Sequence, residues 1–173
     1  MIILLAGASH TGKTMLAQRL LEKYHFPYLS IDHLKMGLIR SGQTDLTAFD
    51  DDKLTVHLWP IVREIVKTAI ENKQNLIVEG CYIPFDWELS FDPVYRDAIR
   101  AYWLVMTNSY IEKHFDHILA HADDMEHRID DGSCTKQWLM EENQRNLDGC
   151  CRFGCQYILI DENYVIGEIL CRM

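Results

Sequence analysis

Gly7-Ala8-Ser9-His10-Thr11-Gly12-Lys13-Thr14 follows directly on the apolar run Ile2 to Ala6 and leads into an amphipathic stretch that ends near Tyr24. The octapeptide fits G-x-x-x-x-G-K-[ST] with no mismatch, the spelling of a phosphate-cradling P-loop set between a strand and a helix. Each fixed position has a chemical reason. Gly7 and Gly12 let the main chain wrap so that successive N–H groups converge on an anion, and the following helix adds the positive end of its dipole. Lys13 supplies a point charge for the β- and γ-phosphates, and Thr14 offers a hydroxyl to Mg²⁺. Ala8, Ser9, His10 and Thr11, with Met15 just beyond, complete the stretch expected to wrap a nucleotide. With 9 glycines in 173 residues, chance assembly of this spelling somewhere in the chain is about two in a thousand. A turn that merely joined two elements would need neither Lys13 nor Thr14.

Outward from this loop, short apolar runs alternate with longer amphipathic stretches, the pattern of an α/β chain with a parallel sheet. Strands are expected over Ile2 to Ala6, Tyr28 to Ile31, Leu76 to Glu79, Tyr102 to Met106 and Tyr157 to Ile160, each apolar enough to be covered on both faces. Helices are expected over Gly12 to Tyr24, Asp32 to Arg40, Asp51 to Lys73 and Ser109 to Ala122, with Pro60 kinking or splitting the third. Gly42 to Asp52 and His121 to Gln137 read as loops, and connections of that length in a compact domain are usually lids or substrate loops. No linker, repeat or low-complexity segment divides the chain, so residues 1–173 are expected to form one domain with a lid at about 121–137.

Hydrophobic residues at 48% and charged residues at 25% exclude a disordered, collagen-like or rod-like chain. Asp plus Glu number 26 against 17 Lys plus Arg, a net charge of -9. That balance disfavours a phosphate backbone or an anionic membrane as partner. The opening apolar run is too short to span a bilayer and has no basic leader, so a cytoplasmic location is expected. The six cysteines are then expected to be reduced.

A P-loop does not by itself say what is done with the nucleotide. Asn72-Lys73-Gln74 starts like a guanine-reading N-K-x-D, but Asn75 replaces the Asp and the segment precedes a strand. Tyr157-Ile158-Leu159-Ile160-Asp161-Glu162 spells the apolar run and acidic pair of a motor ATPase, yet only eleven residues follow Glu162. The alternative to be weighed is therefore a P-loop ATPase or nucleotide-binding regulatory protein without a phosphoryl acceptor. On the main reading this last segment closes the sheet, with Asp161 to Tyr164 near the nucleotide base.

Three places together resemble the P-loop small-molecule kinases of the nucleoside-monophosphate-kinase-like group. They are the P-loop itself, Leu29-Ser30-Ile31-Asp32-His33-Leu34-Lys35-Met36-Gly37, and Leu76-Ile77-Val78-Glu79-Gly80. The group includes adenylate, shikimate and gluconate kinases, chloramphenicol phosphotransferase and zeta toxins; 2-phosphoglycerate kinase-like proteins look similar around the Asp32 and Glu79-Gly80 segments. The resemblance implies a three-layer P-loop NTPase fold with strand order 2-3-1-4-5, helices on both faces, ATP with Mg²⁺, a small-molecule acceptor and a closing lid.

Roles follow from that frame. Ligands of a doubly wound sheet sit outside the carboxyl ends of its strands, where Gly7, Asp32 and Glu79 would converge. Asp32 matches the carboxylate that takes the acceptor's proton in related kinases, and it can equally act as the N-cap of the next helix. Glu79 ends an apolar strand, where a carboxylate needs Mg²⁺, a cation or a substrate donor; it can hold a metal-bound water or serve as the base, or enter a structural salt bridge. Gly80 lies beside it. Lys35 and Arg40 can face an acidic substrate or decorate a helix, and Arg128, among Asp123, Asp124, Glu126, Asp130 and Asp131, is the lid candidate. Arg145 and Arg152 lie near the same loops.

Other signals carry less. His114, His117 and His121 share one helix face, which a metal site or a plain polar face explains equally well. Cys134, Cys150, Cys151 and Cys155 contain no C-x-x-C pair. Cys81 and Tyr82 follow Glu79 closely enough to line an acceptor pocket, and the four tryptophans read as core or pocket walls.

Overall fold

The computed structural model describes residues 1–121 and 134–164. Its centre is β1 (Ile2–Gly7), whose six residues are all buried. This strand runs parallel to β3 (Leu76–Glu79) on one side and β4 (Ile99–Met106) on the other. Beyond them lie β2 (Tyr28–Ser30) and β5 (Tyr157–Ile160), giving the order β2-β3-β1-β4-β5 that the resemblance implies.

Strand pleating sorts β1 onto two cores. Ile2, Leu4 and Ala6 pack with α2 (Ile31–Arg40) and α3 (Asp51–Glu71) through Ile31, Leu54, Leu58 and Val62. Ile3 and Leu5 point the other way, onto α1 (Lys13–Tyr24) and α5 (Asn108–Ala120) through Leu16, Leu20 and Ile111. Alternating side chains with apolar partners on both faces are what a parallel sheet covered by two helical layers requires. A 3₁₀ turn over Trp87–Ser90 and the short α4 (Pro93–Arg96) bridge β3 to β4.

Several element ends differ from the sequence reading. Ile31 begins α2 instead of ending β2, and β4 starts at Ile99, three residues before Tyr102. Pro60 does not split α3, which runs unbroken from Asp51 to Glu71. The carbonyl that Pro60 leaves without its helical donor belongs to Val56, a residue 76% exposed on the outer side of the helix. A helix that periodicity did not reveal, α6 (Lys136–Phe153), covers the far end of the sheet. Leu139 and Cys150 of α6 are buried and Met140 and Leu147 half-buried against the cores, a narrow stripe that the buried Asn143 interrupts. Asn143 itself anchors the helix: it accepts from the Met106 N–H at 2.8 Å and donates to the Leu139 carbonyl at 2.8 Å. The segment expected as a lid therefore ends in helix, since Thr135 N-caps α6 and Lys136 and Gln137 belong to it. Residues 122–133 of that segment lie outside the described residues.

No helix among the described residues is long and apolar enough to cross a membrane. Cys81, Cys134, Cys150, Cys151 and Cys155 are thiols and not disulfides, as expected; Cys171 lies outside the described residues.

The junction of β1 with the loop depends on Gly7. Its φ is +134°, and a Cβ there would stand 2.4 Å from the Leu104 carbonyl oxygen of β4. Gly7→Ala should therefore cost about 3 kcal/mol from strain plus overpacking, read as a lowered urea midpoint; a wild-type midpoint would refute this account of the junction.

Candidate functional site

The loop leaves β1 at Gly7 and re-enters helix at Lys13, with His10 and Gly12 in left-handed backbone at φ 65° and 77°. Gly12 is the N-cap of α1. No side chain caps this helix and its first turn carries no acidic residue. The starts of α2 and α3 likewise have no side-chain cap, whereas Thr107 and Thr135 accept from the first turns of α5 and α6 through their hydroxyls. An uncapped helix start aims its first N–H groups and its positive dipole end into the loop opening, which makes it an anion seat. Lys13, only 7% exposed, folds back over that opening and donates from Nζ to the Ala8 carbonyl at 2.7 Å. Thr11 Oγ1 donates to the same carbonyl at 2.9 Å. Behind the loop, the Tyr164 hydroxyl donates to the Gly12 carbonyl at 3.2 Å, and its oxygen lies 2.2 Å from where a Gly12 Cβ would stand. Burial pushes the Tyr164 phenol up, so it stays a donor at neutral pH. Ser9, His10 and Met15 are half-buried around the opening.

Glu79 closes β3 beside Leu5 of β1 and Ser30 of β2, and is 1% exposed. Thr14 Oγ1 donates to Glu79 Oε2 at 3.3 Å. A hydroxyl and a carboxylate side by side form a hard-oxygen pair suited to Mg²⁺, an ion that keeps several waters and takes one or two carboxylates together with substrate phosphates. The next residue, Gly80, is wedged against Ile31, where a Cβ would meet the Ile31 Cβ at 2.9 Å. Among the described residues no three His, Cys, Asp or Glu side chains gather into a cage that would hold a metal unaided. His114 lies against the Tyr110 ring at 4.6 Å, and His117 stacks on His121 at 4.0 Å.

A second set of groups forms where α2, the β3 exit and the start of α3 meet. Asp32 is not the N-cap of α2, a place held by Ser30; it lies one residue inside the first turn and pairs with Lys35. Lys35 Nζ also donates to the Tyr82 hydroxyl at 3.0 Å, and that hydroxyl donates to Asp51 Oδ1 at 2.8 Å. Burial first, then the carboxylates of Asp32 and Asp51, push the Tyr82 phenol far up, so it keeps its proton. Cys81 links the two sets. It is an exposed residue whose thiol lies among the charges of Lys13, Asp32 and Glu79. Desolvation raises the Cys81 thiol above its ordinary value, and the Lys13 ammonium partly opposes this.

The structure thus gathers Lys13, Thr14, Glu79, Gly80, Asp32 and Lys35 around the carboxyl ends of β1, β2 and β3. Arg40 does not join them: it is exposed at the last residue of α2 and makes no ion pair or hydrogen bond with the described residues. Arg145 pairs with Glu142 at 2.6 Å, and Arg152 lies over the Phe153 ring at 5.4 Å. Arg128 lies outside the described residues. Sequence reasoning missed Asp51, whose only signal was the Asp50-Asp51-Asp52 triplet, a common start for any helix.

No protein-family model matches the sequence, and no curated protein matches it. Solved structures do match by fold. A protein from Chloroflexus aurantiacus, provisionally named a kinase, superposes with a TM-score of 0.60 at 20% identity over 99% of this chain and 95% of its own. A shikimate kinase from Bacteroides thetaiotaomicron gives 0.58 at 15% identity, over 99% and 95%. A sugar kinase from Janibacter sp. HTCC2649 gives 0.58 at 14%, over 99% and 90%. The fold is that of the P-loop small-molecule kinases.

The position of Cys81 among these charges makes its reactivity a probe of the cleft. Iodoacetamide should alkylate Cys81 more slowly at pH 8 than it alkylates glutathione, because less thiolate is present when the thiol is raised. Lys13→Met should slow it further by removing the opposing ammonium. Peptide mapping by mass spectrometry reads both rates; a Cys81 as reactive as the free thiol would contradict the placement.

Proposed function

We propose that the protein is an ATP- and Mg²⁺-dependent kinase that moves the γ-phosphoryl group to a hydroxyl of a small hydroxylated or phosphorylated metabolite. The observation that carries this reading is the placement of the Lys13 loop, the Thr14–Glu79 pair and the Asp32–Lys35 pair at the carboxyl ends of adjoining strands of one sheet. The first set suits a polyphosphate and the second suits an acceptor hydroxyl. A hydrolase or sensor without an acceptor gives the second set no task.

In this reading the loop amides and the α1 dipole bind the β-phosphate, and Lys13 exchanges the Ala8 carbonyl for phosphate oxygens. Thr14 and Glu79 would hold the metal, which when bound neutralises the phosphates and aligns them for in-line transfer. Glu79 is committed to that side by its Thr14 bond and its burial, which leaves Asp32, 31% exposed at its side chain, to receive the acceptor proton. Lys35 orients the Asp32 carboxylate. The acceptor oxygen bonds to the γ-phosphorus, the bond from that phosphorus to the bridging oxygen breaks, and ADP leaves. Little covalent chemistry falls to the protein, so positioning and charge supply most of the rate.

Incubation with γ-labelled ATP and a cellular metabolite pool, followed by identification of the labelled product, tests the reading. Lys13→Ala should abolish transfer, and Asp32→Asn should lower kcat by about 10²–10⁴ while the KM for ATP is kept. Full turnover in Asp32→Asn would remove its role as base.

A further inference from the structure

Neither Tyr82 nor Asp51 has a part in the transfer just described, yet together they decide what Lys35 can do. Tyr82 is 5% exposed and its hydroxyl has one proton, which goes to Asp51 at 2.8 Å. The oxygen is left to accept from Lys35 at 3.0 Å, while Lys35 also pairs with Asp32. The Lys35 side chain is only 13% exposed. Its ammonium is therefore used inside the protein, held between a carboxylate and a phenol that is itself braced by a second carboxylate.

The charge count of this half of the cleft follows. Asp32 and Asp51 face one ammonium. Among the described residues no arginine joins the set, since Arg40 is exposed at the last residue of α2 with no ion pair or hydrogen bond to them, Arg145 is bound to Glu142 and Arg152 lies over Phe153. Side-chain recognition of a phosphate or carboxylate is served best by an available guanidinium or ammonium. An anionic acceptor entering here would compete with Asp32 for Lys35 and lie against two carboxylates, and like charges set together cost several kcal/mol. A neutral hydroxyl can donate to the Asp32 carboxylate without that repulsion.

We infer that Tyr82 and Asp51 are positioning residues that keep Lys35 on Asp32, and that the cleft selects a hydroxyl compound with no anionic group, such as a polyol, sugar or amino sugar. This rests on the kinase reading and narrows its acceptor to the non-anionic class.

The test splits a cellular metabolite pool on an anion-exchange resin at pH 7 and offers each fraction to the full-length protein with γ-labelled ATP and Mg²⁺. Transfer into the unretained fraction should exceed transfer into the retained one at least about ten-fold. Transfer confined to retained, anionic compounds overturns the inference and leaves the kinase reading standing; transfer into neither removes that reading and this inference with it. With the labelled acceptor in hand, Tyr82→Phe, which keeps the buried ring, and Asp51→Asn, at an exposed position, should each lower kcat/KM for the acceptor about ten-fold or more with the KM for ATP unchanged. Wild-type acceptor kinetics in both variants, or equal losses toward acceptor and ATP, would refute the positioning role.

Discussion

The interaction on which everything else depends is the convergence of main-chain N–H groups at the start of α1, held in place by a strand that cannot move. β1 is buried on both faces and hydrogen-bonded on both edges, so the direction in which the chain leaves Gly7 is set by the whole sheet. A cradle made of backbone has no rotamers to choose, which makes it preorganised. The side chains around it come from neighbouring strand ends. Glu79 is fixed by β3, Asp32 by the turn from β2 into α2, and Asp161 accepts from Thr107 at 2.8 Å where β4 and β5 end together. One edge of one sheet therefore collects groups from five distant parts of the chain.

The local electrostatics invert the global one. On the proposed reading a chain of net charge -9 would seat a polyanion with partial charges on amides and one ammonium, Lys13, that folds onto its own loop. The rest of the cleft keeps the acidic bias. Carboxylates at Glu79, Asp32 and Asp51 stand near the same strand ends, and a divalent cation held by Thr14 and Glu79 would offset part of their charge.

What could be read directly from the residues was whatever is local. The loop spelling lies within eight positions, and the buried strands announce themselves by composition, so the sheet and the residues at its carboxyl edge were legible. Strand order came from resemblance, because pairings such as Leu5 with Glu79 leave no periodic trace. The acceptor half was least legible for the same reason: Lys35 meets Tyr82 across 47 positions, and Tyr82 meets Asp51 across 31. α6 was hidden because an amide, Asn143, anchors it where a wider apolar stripe would have given it away. Pro60 misled because the apolar face of α3, with Leu54, Leu58, Val62 and Val66 buried, carries the helix through it.

The central place of β1 has a consequence for how the molecule is made. Its first residues pair with Leu76 and Ile99, so once made the strand waits for partners that leave the ribosome much later. Until β4 emerges, Ile2-Ile3-Leu4-Leu5-Ala6 is an unpaired, uncharged, β-prone segment of the kind that nascent chains hand to chaperones. The strand that gives the mature protein its rigidity is thus its main aggregation hazard during translation.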